Sequence, residues 1–386
     1  MTKRNLLSFG LIIMTSLLAF THILAQAPTQ PPQPRPQAPD ANLVSPEVHA
    51  DGRVTFRIYA PKSNEVIVRG EWAASVPPQK LTKDENGFWS ITVGPLEPNA
   101  YRYAFIVDGV QVLDPKNTTT SESNTNVRSL LFVPGAGAEF MALNNVPHGA
   151  VRTVWYRSSS LNLDRRMHIY TPPDYDLSNT RYPVLYLLHG GGDNDNSWST
   201  VGRARFILDN LHAAGKIKPM IVVMPAGHVP VPTNTMSASP TADKFTDDLL
   251  KDIIPYVEKN MRVIAKPEAR ALAGLSMGGV QTLNIGLNNS DKFSQLGVFS
   301  SGWFPQVLAE VEKQNQQVLD SPETKKRLKL FWIAVGTDDI AYQNSQNTMA
   351  MLKRHGINYT YKETGGGHTW INWRRYLNEF APLLFR

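Results

Sequence analysis

The segment Arg270-Ala-Leu-Ala-Gly-Leu-Ser-Met-Gly-Gly279 constrains this chain more than any other stretch. A short apolar run leads into Gly274-Leu-Ser-Met-Gly278, and small residues with helical spacing follow. A G-x-S-x-G sequence between a strand and a helix bends the backbone sharply, so the serine hydroxyl is pushed into a cleft. The flanking glycines allow the tight turn and the close approach of neighbouring chain. Ser276 is therefore the candidate nucleophile.

The surrounding pattern is the one such a turn requires. Tyr182–Leu188, Met220–Met224, Ala271–Leu275, Leu296–Phe299 and Leu330–Val335 are apolar runs of buried strands, with helical stretches between them. Leu249, Leu250, Ile253, Ile254 and Val257 share one helical face after the acidic start Asp247-Asp248, and Pro255 inside that pattern calls for a kink. Alternation of this kind predicts a mostly parallel sheet with helices on both faces, an α/β-hydrolase domain over residues 151–386. The front of the chain differs. From 42 to 136 short alternating strands dominate, among them Val54–Tyr59, Trp89–Val93 and Ala100–Val107, the last ending at the hairpin signal Asp108-Gly109. They predict a small immunoglobulin-like sandwich. Residues 137–150 read as a linker.

Lys3 and Arg4, the apolar Leu6–Leu24 and Ala25-Gln-Ala27 have the layout of a signal peptide over residues 1–27. The Pro- and Gln-rich residues 28–41 then read as an extended linker. Together they predict a secreted or periplasmic protein with no membrane attachment after cleavage. Removing Lys3 and Arg4 from 39 basic residues leaves 37 against 33 acidic ones, a scattered charge of +4 that argues against nucleic acid. The absence of cysteine rules out disulfides and thiol chemistry.

A serine nucleophile needs a base, an acid that orients the base, and donors for the oxyanion. In α/β-hydrolases the chain order is serine, acid, histidine. Downstream of Ser276 the strand ending at Val335 runs into Gly336-Thr-Asp-Asp-Ile340, with two candidate acids, Asp338 and Asp339. Beyond the last strand comes Gly365-Gly-Gly-His-Thr-Trp370, with His368 as candidate base. Upstream, Leu188-His-Gly-Gly-Gly192 is an H-G-G-G loop whose amides suit an oxyanion hole, joined by the amide of Met277. Trp198, Trp303 and Trp370 lie in loops after strands and are candidates for holding a substrate ring. No cofactor and no metal is called for.

Leu187–Trp198, Phe245–Val257, Gly274–Gly279 and Gly365–His368 closely resemble the esterase D-like family, and within it carbohydrate esterase family one, the feruloyl and acetyl-xylan esterases. The resemblance runs from about Val151 to Arg386. It implies Ser276 as nucleophile, His368 as base, Asp339 in preference to Asp338 as acid, and Gly191 and Met277 as oxyanion donors. Phe56–Pro61, Gly87–Trp89, Tyr101–Gly109 and Asp114-Pro115 make the front module similar to the early-set sandwich called the family-48 carbohydrate-binding module. That similarity makes Trp72, Trp89, Tyr101 and Tyr103 candidates for stacking on sugars, although Trp89, in an alternating strand, fits a core position better. The expectation is a secreted serine esterase that removes ferulate from plant cell-wall xylan, whose partners are feruloylated or acetylated polysaccharides or their oligosaccharides. The alternatives are an acetyl-xylan esterase, a siderophore (tri-catecholate) esterase, an acyltransferase on the same fold, and a carbohydrate-binding protein with a relic hydrolase domain.

Overall fold

The computed structural model describes residues 37–74, 77–229 and 244–386. The expected signal peptide and most of the tether 28–41 lie outside these residues. The rear half is built on an eight-stranded sheet. Its order is Ala150–Ser158, Leu163–Thr171, Ile221–Pro225, Val184–Leu188, Arg270–Leu275, Gln295–Phe299, Leu330–Gly336, Thr360–Thr364. The first three strands pair antiparallel, and every later pair is parallel. The central strands are buried along their whole length, because helices cover both faces. One face packs under Ala204–Ala213 and Trp370–Phe380, the other under Ile254–Asn260, Met277–Asn288, Pro305–Asp320 and Tyr342–Arg354. From Val184–Leu188 the chain passes first to the strand on one side and then to Arg270–Leu275 on the other. The crevice beyond the carboxyl ends of strands at such a reversal is where open α/β sheets place their ligands.

The kink expected at Pro255 takes a specific form. Asp248–Ile253 is a π-helical turn between the α-helical Lys244–Asp247 and Ile254–Asn260, so Pro255 lies inside one continuous helical run whose wider turn precedes the residue that has no N–H to donate. The wide turn carries Asp248, fully buried, to Arg165 Nε at 3.0 Å and Tyr156 Oη at 2.8 Å.

The front module is a sandwich of two antiparallel sheets. One has the order Glu47–Val48, Val54–Tyr59, Phe88–Val93, Thr82–Lys83; the other Gln79–Lys80, Val66–Gly70, Asn99–Val107, Val127–Val133, Thr120–Glu122, with Val110–Val112 beside Asn99–Val107. Alternation places Val54, Phe56, Val68, Tyr103, Phe105 and Val133 between the sheets. Trp72, Trp89, Tyr101 and Tyr103 are all 5% exposed or less, so none of the four offers a ring to a sugar. Their rings fill the core instead, with Trp72 stacked on Phe56 at 5.4 Å.

Residues 137–150, expected as a linker, are held against the rear half. Ala138 and Met141 are buried in its core. Asn210 Nδ2 donates to the carbonyls of Phe140 and Ala142, Arg203 Nε to that of Met141, and the Gly149 amide donates to Asp209. Asn42–Arg386 is accordingly one unit. Arg374, wholly buried on Trp370–Phe380, joins its two halves. It donates to the Val201 carbonyl at 2.6 Å, and also to Asn99 Oδ1 and the Ala100 carbonyl on the sandwich. Burial pushes its guanidinium down to about 9. Removing this side chain strands several buried acceptors at once. Arg374→Ala is expected to lose about 3 kcal/mol or more of unfolding free energy in urea titration; a loss below about 1 kcal/mol would show that the joint does not depend on it.

Candidate active site

Ser276 ends the strand Arg270–Leu275 and immediately precedes the helix Met277–Asn288. Its backbone sits at φ 52, ψ −116, a conformation that costs a non-glycine residue about 1–3 kcal/mol. The neighbours hold it there. Its amide donates to the Phe299 carbonyl at 3.0 Å, and its carbonyl accepts from Ser301 Oγ at 2.7 Å. Gly278 is required by close approach: a Cβ there would stand 2.6 Å from the His189 carbonyl oxygen, to which the Gly278 amide donates at 3.1 Å. The elbow and the H-G-G-G loop are thus in backbone contact.

The structure brings Ser276, His368 and Asp339 together. His368 Nε2 lies 2.9 Å from Ser276 Oγ, and its Nδ1 lies 2.8 Å from Asp339 Oδ1. With Nδ1–H donating to the carboxylate, Nε2 is left to accept the serine hydroxyl proton. Asp338 is exposed, while Asp339 is 5% exposed and also accepts from the Ala341 amide at 2.8 Å. Burial opposes ionisation of Asp339, but the hydrogen bonds from His368 and the Ala341 amide prevail, and its carboxyl stays below the ordinary value.

His368 is placed by a glycine loop with a reason for each contact. Gly366 adopts φ +81, and its carbonyl accepts from the Asp338 amide at 3.2 Å. Asn372 Nδ2 donates to the carbonyls of Gly365 and Gly367. The Trp373 ring meets the His368 ring edge-on at 5.0 Å. Trp373, Asn372, Ser300 and Ser301 were not among the sequence candidates. Asn372 and Trp373 lie on the helix Trp370–Phe380, and the face of it that meets the imidazole is set by packing, not by the sequence around His368.

Gly191 and Met277 adjoin: a Cβ on Gly191 would lie 3.9 Å from that of Met277. His189 anchors the loop. Its Nδ1 bonds the Gly190 carbonyl at 2.8 Å, and its Nε2 accepts from the Gly227 amide at 2.8 Å. Complete burial drives its pKa down to about 4, so the ring is neutral, as the Nε2 acceptor role demands.

The three expected substrate tryptophans are placed differently. Trp198, Trp303 and Trp370 are 1%, 2% and 6% exposed. Trp198 Nε1 donates to the Leu188 carbonyl and Trp303 Nε1 to Asn284 Oδ1, while Trp370 packs edge-on against Trp198 at 5.0 Å. Large rings just past strand ends gain more by filling the space under the loops than by facing water. Among the described residues, exposed apolar side chains close in sequence to the relay include Ile340, directly after Asp339, and Phe304, in the same loop as Ser301.

Comparison with known proteins adds three findings. The model of a family described as putative esterase matches residues 158–384. An endo-1,4-beta-xylanase/feruloyl esterase of Xylanibacter ruminicola is 32% identical over 355 residues, 88% of this chain; the chain spans only 46% of that relative's length. Among solved structures, a ferulic acid esterase superposes with TM-score 0.54 at 26% identity, covering 61% of this chain and 98% of its own. An enterobactin esterase from Shigella flexneri superposes with TM-score 0.62 at 18% identity, covering 86% and 92%, a likeness of fold.

Two predictions follow from the geometry. Asp339→Asn should lower kcat on a small soluble ester by several orders of magnitude, about 10⁴-fold where the histidine is left in the wrong tautomer, whereas Asp338→Asn should change it by less than about threefold. Equal sensitivity at the two positions would contradict the placement. The second concerns His189. Its folded pKa is depressed, so the unfolded chain binds the proton more readily. The stability this group contributes is complete above about pH 6.5 and is lost as pH falls toward about 4. His189→Asn should flatten the fall of Tm over that window; parallel Tm curves for the two proteins would refute the assignment.

Proposed function

The chain belongs to the esterase family, and from that premise we propose that it is a serine carboxylic ester hydrolase that releases ferulate from xylan. The observation that carries the reaction class is the aligned Ser276–His368–Asp339 relay beside the glycine-rich loop. In this reading His368 Nε2 takes the Ser276 proton as Oγ attacks the ester carbonyl. The negative charge on the carbonyl oxygen falls to the amides of Gly191 and Met277. Each such donor is worth on the order of 3 kcal/mol in the transition state. Collapse expels the sugar hydroxyl, which takes the proton from His368. Water then repeats the sequence on the acyl-enzyme and frees the acid.

The acyl choice rests on the relative that is 32% identical over 88% of this chain and carries feruloyl esterase in its name. With the three tryptophans enclosed, Ile340 and Phe304 are exposed apolar candidates, among the described residues, for contact with a flat phenolic acid. An exported enzyme acting on cell-wall polymer is consistent with the leader-like residues 1–27.

Purified enzyme should show higher kcat/KM on methyl ferulate than on acetylated xylan, because a hydroxycinnamoyl group buries more apolar area than a methyl group. A tri-catecholate ester belongs in the same series. Preference for acetylated xylan would make the protein an acetyl-xylan esterase, and preference for the catecholate a siderophore esterase. Ser276→Ala should remove at least about three decades of kcat while leaving the fold intact; near-normal turnover in that variant would end the serine mechanism.

A further inference from the structure

The front sandwich reaches the loop that carries the oxyanion donor. Arg102, on the sandwich strand Asn99–Val107, is 5% exposed. Its Nη1 donates to Asp193 Oδ1 at 2.8 Å and its Nη2 to Ser197 Oγ at 3.0 Å, both in the rear half. Its Nε is held on the sandwich by Ser121 Oγ at 3.0 Å. The same guanidinium lies over the ring of Trp370, two residues past His368, at 5.8 Å. Beside it, the Asn124 amide on the sandwich turn donates to the Gly192 carbonyl at 3.1 Å. Asn194 Nδ2 reaches back to the Ser123 carbonyl at 3.3 Å and to Glu122 Oε2 at 3.2 Å.

We propose that Arg102 is a positioning residue for ester hydrolysis, fixing the direction of the Gly191 amide through Asp193. This rests on the esterase reading above. The path is short. The Asp193 amide donates to the Gly190 carbonyl at 3.1 Å, as His189 Nδ1 does at 2.8 Å. Gly190 C=O and Gly191 N–H belong to one planar trans peptide and point in opposite directions. Whatever holds the carbonyl aims the N–H. Packing fixes only the near end of this stretch: a Cβ at Gly190 would stand 2.6 Å from Leu275 Cδ1, whereas one at Gly192 would meet nothing within 4 Å. Three consecutive glycines also have the most conformational freedom to lose. Beyond Gly190 fixed orientation must come from hydrogen bonds, and Arg102 secures the side chain of the residue that ends the turn. Because Arg102 also touches Trp370, one buried cation spans the oxyanion loop and the segment that follows the base. The sandwich then acts in catalysis without touching substrate at this point.

The test compares Arg102→Met, Asp193→Asn and the double variant in the full chain, with p-nitrophenyl acetate as substrate and active sites counted by burst titration. Arg102→Met should lower kcat per titrated site about 10²-fold with KM changed less than about threefold, since a misaimed donor weakens the transition state and not substrate binding. The double variant should be little worse than either single one, because both break the same path. Arg102→Lys should recover part of the loss. A second readout needs no activity: amide hydrogen exchange should accelerate at 190–195 in Arg102→Met and stay unchanged in the strands flanking the loop. Wild-type kcat per titrated site in Arg102→Met, additive single losses, or unchanged exchange at 190–195 would each overturn the proposal. Faster exchange in a protein whose wild type forms no acyl-enzyme would uphold the path and remove the esterase reading instead.

Discussion

The close approach of two strand ends governs the rest of this structure. Leu188 and Gly274 pair across adjacent parallel strands, and the chain beyond each returns into the same small volume. Gly278 touches Leu188 and the His189 carbonyl, and Gly274 touches Gly278, at distances that leave no room for a side chain. Because the two turns interlock, the Ser276 hydroxyl and the Gly191 amide have a common origin. The positive φ of Ser276 is maintained by these contacts, by the bond its amide donates to the Phe299 carbonyl and by the bond its carbonyl accepts from Ser301 Oγ. Strain at this turn is thus opposed by the surrounding rigid sheet.

Around that point the protein builds support in layers. Behind His368 stands Trp373, then Trp370, then Trp198, each ring meeting the next edge-on. Behind Asp339 stands the Ala341 amide and the buried Ser300. Behind the oxyanion loop stand His189 from within the rear half and Arg102 from the sandwich. Aromatic rings read as a substrate wall serve as this support, and the sandwich aromatics read as sugar platforms serve as its core. The common cause is area: a tryptophan enclosed beneath a loop removes far more apolar surface from water than one left on the rim.

Arg374 and Arg102 change what the front module is. A sandwich tethered by a free linker would contribute by binding polymer and raising local enzyme concentration. Here the connection is bonded to the helix Ala204–Ala213 and two buried arginines cross between the halves, so sandwich and sheet share one mechanical frame.

The amino-acid sequence by itself determined the strand-turn-helix at Ser276, the alternation that builds the parallel sheet, the chain order of Ser276, the Asp338-Asp339 pair and His368, and the glycine loop before the first helix of the rear half. All of these are local, because turn chemistry and hydrophobic period act over a few residues. Only the tertiary structure decided that Asp339 and not Asp338 faces His368, since neighbouring residues differ only in which side of the turn is enclosed. The π-turn ahead of Pro255, whose Asp248 is paired with Arg165, is another case. Tertiary structure likewise decided that Trp198, Trp303 and Trp370 are interior, and that Arg102 meets Asp193 across 91 residues and Arg374 meets Asn99 across 275. No pattern in the chain encodes such pairings, because a buried ion finds its partner only after two separate cores have closed around it.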